Sequence, residues 1–297
     1  MRFVYFRDMK KAIQALVLLL IVSQAQAQYK SLLWKISGNG LKDTSYLFGT
    51  MHTADARIIT MGEKVKPYFN ASKAYAMEID PDGEKNMMGL MGKMMMGKGY
   101  SLQKLIPTKE YNYLDSISTS SIGFPLAMFD NVSPVIVMTI FEGVTMGLDE
   151  NSLSGKVPVL DLYLHDEAKK AKKKIIGIET VAEQLSALGS LSFQEQADML
   201  VQEVDSFQVN KSSGQEVLKY YLDQDLDSLS ANDDDSKKQE KFYKALVLDR
   251  NDRMANRIAE FIKKQPTFIA IGALHLPGEA GVIALLRKKG FTVEPVL

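Results

Sequence analysis

A short, strongly apolar segment near the C-terminus limits most strongly how this chain can fold. Thr267–Ile271 (TFIAI) shows no alternation of apolar and polar side chains, which is typical of a central strand covered on both faces. It runs directly into a G-x-x-H motif, Gly272 to His275. An earlier strand, Ser45–Phe48, runs in the same way into a second G-x-x-H motif, Gly49 to His52. We therefore expect a histidine just beyond the end of each of these two strands. We also expect the chain to fold as two pseudo-symmetric halves that each carry one G-x-x-H motif.

The rest of the chain predicts an α/β fold, mixed with α+β character, in which helices flank a central β-sheet. Besides the two strands above, strands are predicted at Leu32–Ile36, Lys73–Ile79, Lys174–Ile178 and Thr292–Val296. Helices are predicted at Ile58–Phe69, Val132–Thr145, Leu160–Lys173, Val181–Leu188, Phe193–Phe207, Gly214–Leu229, Glu240–Lys264 and Gly278–Lys289. The segment Val132–Thr145 contains Pro134 and Glu142 and is too short to span lipid, so we interpret it as a buried core helix.

The first 27 residues differ from the remainder. Four basic residues precede an apolar run from Ala12 to Val22, and Ala25-Gln26-Ala27 provides the small residues that a signal peptidase requires. The run falls short of the roughly 20 residues that a transmembrane helix needs. We therefore predict a signal peptide at residues 1–27. Because no proline- or glycine-rich linker follows, residues 28–297 are predicted to form a single domain without a membrane span.

Composition excludes several classes of function. The chain has 36 Lys and Arg against 36 Asp and Glu, so it lacks the basic excess expected of a protein that binds nucleic acid. It contains no cysteine, which excludes disulfides, thiolate metal ligands and a cysteine nucleophile. Any metal site must therefore use His, Asp or Glu. An exported chain without cysteine also favours a bacterial periplasmic or secreted location.

Three residues are candidates for one site. His52 and His275, two of the three histidines, follow strands, and ligands bind at strand ends in open α/β sheets. Glu78 lies in an otherwise apolar strand, where an unpaired carboxylate costs several kcal/mol and needs a cation, a metal or a proton. The alternative is that Glu78 pairs with an arginine and that each histidine is a core residue.

Five segments carry a resemblance to a known family. They are LLWKISGNGLKDTSYLFGTMH near the N-terminus, AMEID, IIGIETVAEQL, RNDRMANRI, and FIAIGALHLPGEAGVIALLRKKGFTVEPV near the C-terminus. In order and spacing, from about Leu32 to Val296, they resemble the TraB/GumN family. That family is related to the Tiki proteases, which are metal-dependent peptidases, and more distantly to the erythromycin esterases, which use histidine and glutamate without an obligatory metal.

The resemblance implies a site made of His52, Glu78 and His275, with Arg250 close by. As metal ligands, the two imidazoles and the carboxylate would hold a divalent ion such as Mn, Co or Zn that activates water. Without a metal, one histidine would act as general base and Glu78 would orient it or hold the water. Arg250 would stabilise an oxyanion or clamp a substrate carboxylate, or else form a structural pair with Glu78 or Glu179.

The resulting interpretation is an exported, metal-dependent peptidase or a related amide or ester hydrolase that acts on a peptide or small-molecule substrate. The alternatives are a metal-free, esterase-like hydrolase and a non-catalytic binding or accessory protein of the cell envelope, of the pheromone-inhibition or polysaccharide-export type. Asp161 and Glu179 are candidates for orienting the histidines. His165 is predicted to be exposed, since charged residues stand four positions to either side. The methionine-rich segment Met87–Gly99 is interpreted as a flexible flap.

Overall fold

The computed structural model describes residues 29–53, 55–83, 87–145, 159–232 and 240–296. The predicted signal peptide, residues 1–27, lies outside the described residues. Within the described ranges, no helix is both long and apolar enough to cross a membrane.

A mixed six-stranded sheet forms the centre of the fold. Its strands are β1 (Leu33–Gly38), β2 (Ser45–Thr50), β3 (Ala74–Met77), β4 (Lys174–Gly177), β5 (Thr267–Gly272) and β6 (Phe291–Pro295). They lie in the order β4-β3-β5-β2-β1-β6. The first four in this order pair in parallel, and β1 pairs antiparallel with both β2 and β6. The α/β class and the central position of the apolar strand β5 are confirmed, whereas the pseudo-symmetric halves stay a prediction.

Helices surround this sheet. They are α1 (Ala56–Ala71), α2 (Met87–Met94), α3 (Leu102–Leu105), α4 (Thr108–Ile117), α5 (Pro134–Thr145), α6 (Leu160–Lys170), α7 (Val181–Leu188), α8 (Phe193–Leu222), α9 (Leu226–Asn232), α10 (Glu240–Tyr243), α11 (Asp249–Phe261) and α12 (Val282–Lys288). A π-helical turn at Lys244–Leu248 joins α10 to α11. The predicted helix Glu240–Lys264 is therefore present, with this turn inside it.

One helix prediction was wrong. The two helices predicted at Phe193–Phe207 and Gly214–Leu229 are a single helix, α8, followed by the separate helix α9. The polar residues between the two predicted segments include no proline, and a single glycine costs only about 1 kcal/mol inside a helix. The break comes later, at Gln224, whose φ of 58° is left-handed and cannot continue a helix.

Buried side chains form two clusters. The larger cluster lies on the sheet and the helices packed against it, and its fully buried aromatic residues are Trp34, Phe48, Phe69, Tyr75, Tyr221 and Phe268. The smaller cluster lies among helices, and α5 contributes Val135, Val137 and Phe141 to it. This confirms that the predicted segment Val132–Thr145 supplies a core helix.

Candidate active site at the carboxyl ends of the parallel strands

Four polar residues follow the four parallel strands. Glu78 comes directly after β3, His52 is the second residue after β2, His275 is the third after β5, and Glu179 is the second after β4. Because parallel strands end at one edge of a sheet, these residues share that edge, where open α/β sheets bind ligands. The two G-x-x-H motifs are neighbours, since Thr50 pairs with Gly272 across β2 and β5.

Glu78 is held as a carboxylate by three neighbours. Arg250 Nη2 donates to Glu78 Oε2 at 2.7 Å and Gln184 Nε2 donates to the same oxygen at 2.9 Å, while the Gly272 N–H donates to Oε1 at 2.8 Å. Burial opposes ionisation, but the nearby His275, Arg250 and His52 together with the Gly272 N–H lower the pKa of Glu78 to about 2. Glu78 is therefore ionised at neutral pH.

Gly272 lies close to the carboxylate of Glu78. A Cβ built on Gly272 would lie 3.2 Å from Glu78 Oε1, so a side chain there would crowd the carboxylate that its N–H binds. A Cβ on Gly49 would lie 3.1 Å from Ala273 Cα, in the turn that leads to His275. The glycines of both motifs thus permit the close approach of backbone that forms this edge.

Arg250 links Glu78 to a second carboxylate. Glu179 is fully buried, and its Oε2 accepts from Arg250 Nε at 2.9 Å. Its Oε1 accepts from Arg253 Nη2 at 2.7 Å. Arg250 and Arg253 stand three residues apart on α11 and so project from the same face. Arg250 therefore forms ion pairs with both Glu78 and Glu179, the two partners that the sequence analysis named for a structural role.

The tautomer of His275 follows from its hydrogen bonds. Its Nδ1 lies 2.6 Å from Asn251 Oδ1, and the amide of Asn251 is oriented because Nδ2 donates to the Ala280 carbonyl at 2.9 Å. Nδ1 therefore carries the proton, and the lone pair is on Nε2, 4.0 Å from Glu78 Oε1. Burial lowers the pKa of His275 to about 4, so the ring is neutral at neutral pH. Asn251 was missed from the sequence, although it directly follows Arg250.

His52 lies at the open side of the site. Its side chain is 61% exposed, and its Nδ1 is 3.2 Å from Oδ2 of the buried residue Asp161. The other oxygen of Asp161 accepts from Thr50 Oγ1 at 2.8 Å, which holds the carboxylate in place. The negative charge of Asp161 is the largest influence on His52 and raises its pKa. Asp161 thus lies beside His52, one of the histidines that the sequence analysis named it as a candidate to orient.

One prediction about a neighbouring segment was wrong. His165 is buried, with 4% of its surface exposed, because it lies on the inner side of α6 near Asp161 and faces the carboxylates of Asp80 and Asp82. Of the two charged residues that suggested a solvent-facing position, Asp161 contacts His52 and Lys169 pairs with Asp82. The methionine-rich segment is helical over Met87–Met94, as the good helix propensity of methionine allows, and its role as a flap stays a prediction.

The donor set at the strand ends fits a divalent ion in its chemistry. His275 directs Nδ1 to a protein acceptor, which is the arrangement that leaves Nε2 as a metal ligand, whereas His52 Nδ1 lies 3.2 Å from Asp161 Oδ2 without a hydrogen bond to it. Two ligand atoms of one tetrahedral ion lie about 3.4 Å apart, near the 4.0 Å between His275 Nε2 and Glu78 Oε1. His52, Glu78 and His275 are not all within 4.8 Å of one another, so exposed His52 would have to approach the other two.

This chain is an α/β protein in which ion-paired carboxylates and two histidines lie at the ends of the parallel strands. The chain belongs to the TraB/PrgY/gumN family, whose model matches residues 32–295. The resemblance seen in the sequence is thereby confirmed.

Known relatives carry metalloprotease names. The chain is 27% identical to Metalloprotease TIKI1 of Xenopus tropicalis over 92% of this chain and 63% of the relative. It is 27% identical to the Metalloprotease TIKI homolog of Nematostella vectensis over 92% of this chain and 69% of the relative, and 26% identical to human Metalloprotease TIKI1 over 91% and 62%. The chain thus spans a little under two thirds of the length of the first and third of these relatives. No solved structure matches it significantly.

Proposed function

We propose that this protein is a metal-dependent hydrolase, and within that class a peptidase, whose site comprises His52, Glu78, His275 and Arg250. The observation that carries the proposal is the placement of both imidazoles at one sheet edge, with Nδ1 of His275 hydrogen-bonded to Asn251 and Nδ1 of His52 3.2 Å from Asp161 Oδ2. The metalloprotease names of the TIKI relatives support the same reaction class.

Each residue has a distinct task in this proposal. His52, Glu78 and His275 would hold the ion, for which Mn, Co and Zn are the candidates. When bound, the ion supplies Lewis-acid polarisation of a carbonyl and lowers the pKa of water towards neutrality. Asn251 keeps the His275 lone pair on Nε2, and Arg250 keeps Glu78 ionised. The guanidinium of Arg250 also provides positive potential where negative charge develops on a substrate oxygen.

The proposal is tested with purified protein and a peptide library in the presence of Mn²⁺, Co²⁺ or Zn²⁺. We expect metal content and cleavage to fall together in His52→Ala, Glu78→Gln and His275→Ala variants. Glu294→Gln is the control, since that exposed carboxylate on β6 pairs only loosely with Lys35, at 3.8 Å. Full cleavage by the His275→Ala variant would contradict the proposal, and binding of peptides without cleavage would identify an accessory binding protein instead.

A metal-free hydrolase is the second candidate, and one observation favours it. Both oxygens of Glu78 already accept hydrogen bonds, which leaves His52, exposed beside the buried Asp161, as the general base. In this case Asp161 orients the imidazole and stabilises its protonated form, while His52 takes a proton from water. Hydrolysis of simple esters by chelator-treated protein, lost in Asp161→Asn, would establish this version and remove the need for a metal.

We further propose that residues 1–27 are removed after Ala27 and that residues 28–297 fold as a single domain in the periplasm or outside a bacterial cell. The separation of residues 1–27 from the family match, which begins at residue 32, supports this division. Mass spectrometry of the protein recovered from a periplasmic extract should give Gln28 as the first residue. Retention of Met1 in that fraction would contradict the proposal.

A further inference from the structure

We propose that Asp80, Asp82 and His165 form a second divalent-cation site, distinct from the Glu78–His275 pair. Asp80 and Asp82 lie just beyond β3, and His165 lies on α6. Among the residues that the structure describes, they form the one group of three carboxylate or imidazole side chains whose ligand atoms all lie within 4.8 Å of one another.

The geometry of His165 points to a missing partner. Its Nε2 lies 3.6 Å from Asp80 Oδ1 and 3.7 Å from Asp82 Oδ2, beyond the roughly 2.7–2.9 Å of a charge-assisted hydrogen bond. This nitrogen is buried and makes no hydrogen bond. A buried polar atom left without a partner costs about 1–3 kcal/mol, and a cation bound between His165 Nε2 and the two carboxylates would remove that cost. The spacings are close to the roughly 3.4 Å between ligand atoms of one tetrahedral ion.

The donor set specifies the class of cation. One imidazole nitrogen with two carboxylate oxygens suits borderline ions such as Zn²⁺, Mn²⁺ and Co²⁺, whereas Ca²⁺ and Mg²⁺ prefer sites made only of oxygen. Asp82 is exposed, which leaves room for water to complete the coordination. The Asp82 N–H donates to Asp80 Oδ1 at 3.1 Å, and this bond holds the turn that presents both carboxylates.

A protein cation already competes for this site. Lys169 Nζ donates to Asp82 Oδ2 at 2.7 Å. Its side chain is 52% exposed, and ion pairs of that kind contribute little stability, so a divalent ion can displace the ammonium. Removing Lys169 is therefore expected to strengthen cation binding, which distinguishes a cation site from a purely structural ion pair.

The position of the site suggests its effect. His165 stands one helical turn beyond Asp161, which contacts His52, and Asp80 stands two residues beyond Glu78. A cation that joins Asp80 and Asp82 to His165 therefore ties α6 to the end of β3. This connection would stabilise the relative position of Asp161 and Glu78 at the candidate active edge.

The test is a Zn²⁺ titration of purified, untagged protein labelled with ¹⁵N-histidine, followed by NMR. The chain has three histidines, so the resonances are assigned by comparing wild type with His165→Gln and His275→Gln variants. We expect the Nε2 resonance of His165 to shift as Zn²⁺ is added. Shifts of His52 and His275 report the other site separately, so movement of those two signals alone would overturn this proposal and leave the proposed function intact.

Three further variants keep the test decisive if His165→Gln fails to fold. Asp82→Asn, at an exposed position, is expected to weaken binding at His165 by about tenfold or more. Lys169→Gln is expected to strengthen it several-fold. The matched control is Lys170→Gln, because that neighbouring lysine pairs with Glu167 and leaves the site unchanged. Equal affinity of wild type and Asp82→Asn for Zn²⁺ would overturn the proposal.

Discussion

Arg250 lies between two carboxylates, one of them fully buried, and compensates the charge of both. Removing one partner of a buried charge pair costs about 3–5 kcal/mol because the remaining charge stays desolvated. We therefore expect Arg250→Gln to lower the free energy of unfolding by that amount, measured by urea denaturation at neutral pH. The control is Arg57→Gln, at an exposed pair with Asp55, where the loss should be much smaller because solvent screens the pair. Equal losses in both variants would show that Arg250 is not compensating buried charge.

The charge of Asp161 is the largest influence on His52 and raises its pKa. In Asp161→Asn that charge is gone while the shape of the side chain remains, so the pKa of His52 should fall towards its ordinary value of 6.5. The measurement is an NMR titration of the histidine side chains. Asp166→Asn, an exposed position on the same helix, is the control and should leave the titration of His52 unchanged. An unaltered pKa in Asp161→Asn would contradict the pairing.

At the scale of elements, the end of β2 packs so closely against the turn after β5 that a side chain at Gly49 would be crowded. A Cβ on Gly49 would lie 3.1 Å from Ala273 Cα and 3.2 Å from Ala273 Cβ. Gly49→Ala should therefore destabilise the protein by about 1–3 kcal/mol and displace the turn that carries His275. Thermal unfolding measures the first effect, and the NMR signal of His275 measures the second. Gly97→Ala, where nothing lies within 4 Å of the added Cβ, is the control.

Helix α6 shows how one element serves two polar groups. Asp161 in its first turn contacts His52, and His165 one turn later faces Asp80 and Asp82. Leu160, Leu164 and Ala168 of the same helix are fully buried, so their packing fixes the rotation of the helix about its axis. The apolar contacts thus decide which polar residues point towards the sheet edge.

At the scale of the whole molecule, the site makes stability depend on pH. Glu78 has its pKa lowered from 4.5 to about 2, and buried His275 has its pKa lowered from 6.5 to about 4. In both cases the unfolded chain binds more protons, so stability is full above the unfolded pKa and is lost as pH falls through the folded one. We expect a loss from pH 6.5 to 4 through His275 and a further loss from 4.5 to 2 through Glu78, of the order of 3 kcal/mol for Glu78.

Urea denaturation at a series of pH values measures this dependence. In Glu78→Gln the additional loss below pH 4.5 should disappear, because the amide does not titrate. A variant that keeps the full acid dependence of the wild type would show that other carboxylates dominate it.

Several features were determined by the sequence itself. The strongly apolar pattern of Thr267–Ile271 predicted the central strand. The G-x-x-H motif that follows each of two predicted strands indicated that His52 and His275 lie at strand ends. These patterns are local, since they depend on the burial of neighbouring residues and on backbone freedom at one position. The family also followed from the order and spacing of segments along the chain, and the match over residues 32–295 confirmed it. The fusion of two predicted helices into α8 was missed because the polar residues between them interrupt the apolar period, although they carry no strong stop signal.

Other features were decided only by the tertiary structure. Asn251 sets the tautomer of His275, and His165 lies buried beside Asp80 and Asp82. Glu78 accepts hydrogen bonds from Arg250 and Gly272, which are 172 and 194 residues away along the chain. Such contacts depend on the order of strands in the sheet and on the rotation of α6 and α11, and both are set by the packing of the whole core. The sequence named the chemical groups, but only the fold decided which atoms of those groups face one another.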